Sequence, residues 1–211
     1  MKKILIVLFL GLMYTGYSQV TDIDGNTYKT VEIVAQELMA ENLKVEHFKN
    51  GESIPNCKTD KEWELAGANR HPCWCYYENN SNNTIKYGKL YNWYAVNDPR
   101  GLAPEGWHIV TDDEWTILID SLIWAKKMKS LWWKENGKGT NESGFNGRPG
   151  GFREYKGNFS KGGVGYYGYW WSSTQFSTDN SWILHLNFYG SNITRNNFKK
   201  SNGFSVRCIK D

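Results

Sequence analysis

The sequence predicts an α+β fold in which two helices pack on short, twisted antiparallel sheets that are joined by long irregular loops. Three observations indicate this class. Through the last third of the chain, residues 163–208, aromatic and β-branched residues alternate with turn-forming residues. A helix-start motif followed by an apolar stripe lies at residues 111–123. Between these regions, glycines recur through residues 132–159 and favour irregular backbone paths.

Residues 1–18 are typical of a secretory signal peptide. Lys2 and Lys3 precede an apolar run over residues 4–13, and Gly16 and Ser18 are small residues of the kind that a signal peptidase accepts. The run is shorter than the roughly 20 apolar residues that a membrane-spanning helix needs. We therefore expect cleavage near Ser18 and a mature protein that is secreted, periplasmic or on the cell surface, with no transmembrane segment.

The charge balance argues against nucleic acid as a partner. The formal net charge of +3 falls to +1 when Lys2 and Lys3 leave with the signal peptide, and the chain has no basic run. The 11 Trp and 13 Tyr residues are suited to core packing and to surfaces that bind sugars or peptides. We expect most of these rings to lie in the core, because large aromatic side chains are mostly buried.

After the signal peptide, residues 19–62 are expected to form an N-terminal β-hairpin extension, and residues 63–211 the core of the domain. The first hairpin is predicted to turn at Asp24-Gly25. A further short strand or turn is predicted over residues 36–43. Asp22, Asp24 and Asn26 also resemble the start of a calcium-binding loop, but the downstream bidentate Glu of such a loop is missing.

Two helices are predicted next. The first covers residues 87–97, which carry a stripe at helical spacing that ends before Pro99. The second begins at Thr111, which is expected to form a capping box with Glu114. Its apolar stripe comprises Trp115, Leu118, Ile119, Leu122 and Ile123. The acidic cluster at 112–114 is explained by the favourable effect of negative charge at a helix N-terminus, rather than by catalysis.

Four cysteines in an exported chain predict disulfides. Cys73 and Cys75 are too close to pair comfortably with each other, so we expect one bridge from this pair to Cys57 and another to Cys208. The second would close a loop of more than 130 residues, which on the chain-entropy model is worth roughly 4–5 kcal/mol. Zinc binding by Cys-Trp-Cys is the weaker alternative, because zinc sites usually separate their cysteines by at least two residues.

A strand with a period of two is predicted over residues 182–189, followed by a hairpin turn at 189–192 and a closing strand at 204–208. Alternation places neighbouring side chains on opposite faces of a strand. The buried face is expected to hold Trp182, Leu184, Leu186 and Phe188, and the solvent face His185, Asn187 and Tyr189.

The sequence contains no recognisable catalytic motif. His-Glu-x-x-His and Gly-x-Ser-x-Gly are both absent, and the histidines are scattered. The glycine run at 162–165 lacks the Gly-Lys-Ser/Thr ending of a phosphate-binding loop. We therefore expect a protein that is not an enzyme and that uses no cofactor or metal.

Short motifs follow one another in a characteristic order over nearly the whole mature chain. They include MAENL at 39–43, YGKLYNWYAV at 87–96, PEGWH at 104–108, YWWSS at 169–173 and GFSVRC at 203–208. In these motifs the chain resembles the Fibrobacter succinogenes major paralogous domain family. That resemblance implies an exported module of Bacteroidota or related bacteria, of a kind often found as surface or lipoprotein modules of unassigned role.

A looser resemblance, which rests on element order and a few motifs, links the chain to C-type-lectin-like and formylglycine-generating-enzyme-like folds. It implies a C-type-lectin-like arrangement with the ligand between residues 173 and 203. Ala103 stands where family members commonly have a cysteine, so the usual partner of Cys208 is missing. The calcium-ligating motifs of sugar-binding lectins are absent, and the copper-binding cysteine pair of the enzymes is not recognisable, so neither chemistry carries over.

The candidate ligand site lies on the predicted solvent face and the adjoining loop. Amide, guanidinium and phenol groups suit a polar ligand with ring faces, because they combine hydrogen bonds with stacking area. The candidate residues are His185, Asn187, Tyr189, Asn192, Arg195 and Asn196. A merely solvated sheet face is the alternative interpretation, and the glycine-rich loop between residues 137 and 165 is the next place to look.

We therefore expect an exported, non-enzymatic binding module that recognises a glycan, a peptide or a surface protein through loops on a rigid frame. An enzyme that acts on cell-surface polysaccharide is the first alternative. A structural module that packs against a partner chain is the second.

Overall fold

The computed structural model describes residues 18–122, 124–134, 137–159 and 163–211. The predicted signal peptide, apart from Ser18, lies outside the described residues. Within these ranges, no helix combines the length and the apolar character needed to cross a membrane.

The fold mixes helices with antiparallel sheets, as predicted. The strands are β1 Gln19–Thr21, β2 Thr27–Ile33, β3 Gln36–Met39, β4 Trp74–Cys75, β5 Leu90–Tyr91, β6 Trp107–Ile109, β7 Tyr167–Gln175, β8 Asn180–Asn187, β9 Thr194–Lys199 and β10 Cys208–Lys210. The α-helices are α1 Asp60–Ala68, α2 Thr84–Tyr87, α3 Trp93–Val96, α4 Asp112–Leu122 and α5 Ala125–Met128. Two short 3-10 helices cover Tyr77–Asn79 and Ser81–Asn83.

Three sheets organise the part of the chain that the structure describes. A five-stranded sheet has the order β1-β2-β3-β10-β6, a two-stranded sheet pairs β4 with β5, and a three-stranded sheet has the order β7-β8-β9. The last strand, β10, therefore lies between β3 and β6. β2 and β3, which belong to the predicted N-terminal extension of residues 19–62, share the five-stranded sheet with β6 and β10, and residue 62 lies in α1.

The first hairpin turns at Asp24-Gly25, as predicted. Thr21 pairs with Thr27, and Gly25 has a φ of +79°, a left-handed conformation that favours glycine. Asp22 accepts hydrogen bonds from the backbone N–H groups of Asp24 and Asn26, at 3.0 and 2.9 Å, and from the Tyr28 hydroxyl at 2.5 Å. These bonds explain the Asp-x-Asp-Gly-Asn motif as a turn. Among the described residues, no three or more His, Cys, Asp or Glu side chains are grouped so as to hold a metal ion.

The capped helix at Thr111 is confirmed as α4. The Thr111 hydroxyl accepts the Glu114 N–H at 3.3 Å, while the Glu114 carboxylate accepts the Thr111 N–H at 2.7 Å. A second capping box, between Thr59 and Glu62, begins α1. The sequence interpretation missed α1, although the Thr-x-x-Glu signal was present.

The continuous helix predicted at 87–97 is wrong. The chain there forms the end of α2, then β5, then α3. Asn92 accepts the Ala95 N–H at 3.1 Å and so begins a new helix, while Tyr91 forms a bridge with Phe204. Asn92 therefore caps the start of a separate helix, α3, whereas the apolar spacing alone had suggested one continuous helix.

The predicted disulfides are not formed. Cys57, Cys73, Cys75 and Cys208 are all buried free thiols. Cys208 lies in the main core, whereas the other three lie in a separate cluster beside Trp63. Within that cluster the interaction between the Cys57 and Cys73 thiols lowers the pKa of Cys57, whereas burial and the same interaction raise the pKa of Cys73. The expected bridge to Cys208 is absent because Cys208 packs in the main core, away from the cluster that holds Cys73 and Cys75.

His108 links the end of the chain to the start of α4. Its Nδ1 lies 2.7 Å from an Asp211 carboxylate oxygen, and its Nε2 lies 2.8 Å from a Glu114 carboxylate oxygen. Burial alone would lower the pKa of His108, but the hydrogen bonds to the two carboxylates outweigh it and raise the pKa. Two acceptors on one ring favour the doubly protonated imidazolium.

This arrangement predicts a stability loss on the alkaline side. The pKa of His108 in the folded protein lies above the unfolded value of about 6.5. The contribution of His108 to the free energy of unfolding is therefore fully present below about pH 6.5 and is lost as the pH rises through the folded pKa. The side chain is 40% exposed, so the effect should stay below about 1 kcal/mol. Thermal unfolding of the wild type and of His108→Gln should show a difference that shrinks as the pH rises. A difference that grows with pH would contradict the assignment.

Candidate functional site

The register of the three-stranded sheet decides where the predicted site residues lie. On β8 and β9, His185 pairs with Thr194 and Leu184 with Arg195. Directly paired residues share a face of the sheet, and faces alternate along each strand. His185, Asn187 and Asn196 therefore lie on one face, and Arg195 lies on the other.

The central strand β8 has buried residues on both faces, which the alternating pattern did not predict. Leu184 and Leu186 are buried, as expected, but Ile183 on the opposite face is buried too. Trp182 and Phe188, which were expected to be buried, are only half-buried, and so are His185 and Asn187. The face that was expected to meet solvent therefore also contributes to the main core.

Three of the six predicted ligand-site residues lie away from the sheet face that carries His185, Asn187 and Asn196. Arg195 stacks 3.6 Å from the Trp182 ring and pairs through its Nε with Asp112 at 2.6 Å, which ties β9 to the start of α4. Tyr189 and Asn192 are exposed in the loop between β8 and β9, with Tyr189 80% exposed. Arg195 thus has a structural partner, and the two loop residues lie beyond the strand ends.

The face that carries His185 is rich in aromatic rings. We call this surface the ring platform: the half-buried rings Phe152, Tyr167, His185 and Phe198 around the buried rings Tyr169 and Phe204. His185 stacks on Tyr169 at 4.1 Å with planes 6° apart, and Tyr169 stacks on Phe204 at 4.9 Å. The stack follows from the register, because Tyr169 and His185 are direct partners on β7 and β8.

Polar groups border the ring platform. The Asn187 carbonyl oxygen accepts the Gly190 N–H at 2.5 Å, and that of Asn196 accepts the Asn197 N–H at 2.8 Å. Neither side-chain amide N–H2 group has a hydrogen-bond partner among the described residues. The platform thus combines ring surface with two amide groups whose N–H donors remain for a ligand.

His185 is neutral at physiological pH. Burial lowers the pKa of His185 to about 4, and the positive charge of Lys129 adds to the effect. Its Nε2 is buried and has no hydrogen-bond partner within the described part of the chain. An unpartnered buried polar atom costs about 1–3 kcal/mol, and because this nitrogen is buried, His185 offers the platform its ring face rather than a hydrogen-bonding group.

A second feature, which we call the tyrosine cleft, lies next to the ring platform. It is an open cleft of about 400 Å³ lined by α1, α3, β9, the hairpin at 153–159 and the turn before β8. Its chemically important residues are Glu64, Arg70, Tyr94, Tyr155, Asp179 and Lys199. Asp179 and Lys199 lie inside the predicted ligand window of 173–203, and Tyr155 lies in the glycine-rich loop that was the second choice.

Buried anchors hold two walls of the tyrosine cleft. The Trp63 indole N–H donates to the Ser201 carbonyl at 2.9 Å, and a Cβ on Gly67 would lie only 2.7 Å from the Ser201 Cβ, so α1 packs tightly on the end of β9. Lys200, which is buried, donates its ammonium to the Thr178 carbonyl at 2.9 Å and its backbone N–H to the Asp179 carbonyl at 2.8 Å.

The third wall is the hairpin that carries Tyr155. Arg153 is fully buried and donates to the Gly157 carbonyl at 2.7 Å and to the Cys57 carbonyl at 2.6 Å. These bonds fix both ends of the turn around Tyr155. Sequence reasoning missed this cleft because its walls come from segments more than 100 residues apart, although the Thr59 capping box would have revealed α1.

A larger open cleft of about 1020 Å³ lies between the β2–β3 hairpin and residues 141–146. Its lining is polar, carries no aromatic ring and includes Ser18, the first described residue. It lacks the ring surface that the other two features share, so the ring platform and the tyrosine cleft remain the better candidates.

The comparisons with known proteins identify a family and nothing more specific. No curated protein and no solved structure matches the chain. The Fibrobacter succinogenes major domain matches residues 31–210, which run from β2 to β10 and include both the ring platform and the tyrosine cleft. The chain therefore belongs to the Fibrobacter succinogenes major domain family.

Proposed function

We propose that this protein is an exported, non-enzymatic binding module that recognises a glycan on the ring platform. The observation that carries the proposal is the group of half-buried rings bordered by unpartnered amide donors. Sugar rings present C–H faces that stack on aromatic rings, and hydroxyls that accept hydrogen bonds from amides. Export would bring the module to the glycans of the envelope or the cell exterior.

The absence of charge on the platform favours a glycan over a charged peptide. His185 carries no charge at neutral pH, because burial lowers its pKa to about 4. Asn187, Thr194 and Asn196, which share the face, are neutral as well. Lys129, whose charge helps to lower the pKa of His185, is itself buried, so an acidic or basic peptide would find no exposed opposite charge there.

This surface gives the first binding prediction. Tyr167→Ala should weaken binding of a glycan found by array screening at least tenfold, about 1.4 kcal/mol, because it removes a half-buried ring at the rim of the platform. Tyr189→Ala is the matched control, since it deletes the same side chain at a position that is 80% exposed and off the platform. Calorimetric titration of the chain from residue 19 measures both affinities, and a melting curve confirms that each variant is folded. Weaker binding in the control alone would move the site to the loop.

An enzyme acting on polysaccharide is the second candidate, and one observation favours it. Glu64 and Asp179 both line the tyrosine cleft, and glycoside hydrolysis uses a pair of carboxylates. Incubation of the protein with polysaccharides, followed by an assay for new reducing ends, should show no turnover. Turnover that disappears in Glu64→Gln or Asp179→Asn would replace the binding proposal with the enzymatic one.

A further inference from the structure

We propose that the ligand is a neutral glycan chain that runs along β9 from the ring platform into the tyrosine cleft. This inference rests on the proposed function and names the class of glycan: an oligomer rather than a single sugar. It also assigns a second part of the binding site, in the cleft.

Two chain segments connect the surfaces directly. One supplies Phe152 to the ring platform and Tyr155 to the tyrosine cleft, and the other supplies Phe198 to the platform and Lys199 to the cleft. The Lys199 ammonium lies 3.9 Å from the centre of the Tyr155 ring. The cleft therefore begins where the platform ends.

The buried ring beneath this junction holds both segments in place. Phe152 and Phe198 each contact Phe204 edge-on, at 6.0 and 5.6 Å between ring centres. Phe204 itself is 1% exposed and bridges to Tyr91 in the main core. A ligand crossing the junction would thus meet a surface whose shape is set by core packing, which reduces the entropy lost on binding.

The length of the combined surface points to a chain. The six residues of β9 span roughly 20 Å at about 3.3 Å per residue. The ring platform follows this strand from Thr194, which pairs with His185, to Phe198, and the cleft begins at Lys199. One sugar ring is much shorter than the strand, so only an oligomer can contact the His185 end of the platform and the cleft together.

The charges of the cleft select a neutral chain. Of its lining residues, Arg70 and Lys199 are cationic, whereas Glu64 and Asp179 are anionic, so the charges balance. Arg70 and Asp179 lie 3.6 Å apart and largely neutralise each other. A polyanionic glycan would gain no net attraction in the cleft, where two cations and two carboxylates balance, and it would find no exposed cation on the platform.

The test is the dependence of affinity on chain length. Calorimetric titration would compare the monosaccharide, trisaccharide and hexasaccharide of each of four neutral series. These series are β-1,4-linked glucose, α-1,4-linked glucose, β-1,4-linked N-acetylglucosamine and α-1,6-linked mannose. Oligogalacturonate serves as the acidic counterpart. We expect a hexasaccharide of one neutral series to bind at least tenfold more tightly than its trisaccharide. Tyr94→Ala and Tyr155→Ser should remove that gain and leave trisaccharide affinity unchanged. Tyr189→Ala should preserve it.

The outcomes separate this inference from the proposed function. Equal affinity for the trisaccharide and hexasaccharide, or a gain that survives both cleft variants, would overturn the chain model while the ring platform remains the site. Tighter binding of oligogalacturonate than of every neutral series would overturn the assignment of a neutral ligand. Failure of every hexasaccharide to bind would reject the inference together with the glycan proposal. If one of the two cleft variants, Tyr94→Ala or Tyr155→Ser, fails to fold, the other still tests the inference.

Discussion

Replacing Arg207 by Met is expected to reduce the free energy of unfolding by roughly 4 kcal/mol or more, or to prevent folding. Arg207 is fully buried on the segment before β10. It donates to the Asn42 side-chain oxygen at 2.6 Å and to the carbonyls of Met39, Phe145 and Asn146 at 2.6, 2.8 and 3.2 Å. Each acceptor left buried without a partner costs about 1–3 kcal/mol.

The environment of Arg207 explains why no other side chain can take its place. All four hydrogen-bond acceptors are neutral, and burial lowers the pKa of Arg207 to about 9. Its guanidinium also stacks 4.5 Å from the Phe145 ring. A lysine has the charge but not the planar fork that reaches several acceptors at once, so we expect Arg207→Lys to be severely destabilised as well.

Chemical denaturation measures the effect, and Arg195→Met is the matched control. Arg195 likewise stacks on a ring, but it pairs with the Asp112 carboxylate instead of neutral acceptors, and its side chain is 39% exposed. Water can therefore replace its contacts, and the control should lose about 1 kcal/mol. If Arg207→Met unfolds within about 1 kcal/mol of the wild type, the buried guanidinium is not the organising contact that the structure indicates. A total stability of about 5–15 kcal/mol is typical of such domains.

Gly157→Ala is expected to have the second large effect, a loss of roughly 3 kcal/mol or more. Gly157 has a φ of +95°, and an added Cβ would lie 2.3 Å from the Asp60 Cα and 2.6 Å from the Asp60 carbonyl oxygen. Both atoms belong to the backbone of α1, so neither can move aside cheaply. The cost combines left-handed strain of about 1–2 kcal/mol with overpacking of about 1–3 kcal/mol.

Gly25→Ala separates the two contributions. Gly25 has a similar φ of +79°, but an added Cβ would meet nothing within 4 Å, so only the strain of about 1–2 kcal/mol remains. Chemical denaturation should therefore show a clearly larger loss for Gly157→Ala than for Gly25→Ala. Because Arg153 donates to the Gly157 carbonyl, the same variant should also displace Tyr155 from the tyrosine cleft. Equal losses at the two glycines would show that the hairpin adapts to the added methyl group.

Several local features could be predicted from the sequence, because the interactions that form them lie within a few residues. The Thr111–Glu114 cap begins α4, and the Asp24-Gly25 turn closes the first hairpin, as expected. The strand predicted over residues 182–189 was found two residues earlier, at 180–187, whereas the closing strand predicted at 204–208 lies at 208–210. Membership of the family was also recognised from motif order alone.

Local patterns failed where distant segments decide the outcome. The helical stripe at 87–97 was interrupted by a cap at Asn92 and a bridge from Tyr91 to Phe204. The alternating pattern on β8 could not show that both faces of the strand are buried, because the residues that pack on each face come from distant parts of the chain. Cysteine count could not show that Cys208 lies in a different core from Cys57, Cys73 and Cys75.

By itself, the sequence determined the mixed class of the fold, its capped helix, its hairpins and its family, because each depends on short-range chemistry or on motif order. Only the tertiary structure decided which polar residues share a surface. Register placed Arg195 on the face opposite His185, and packing brought Tyr94, Tyr155 and Lys199 into one cleft. The physical reason is that a binding surface is formed by contacts between segments far apart in the chain, whose relative placement depends on core packing and strand register.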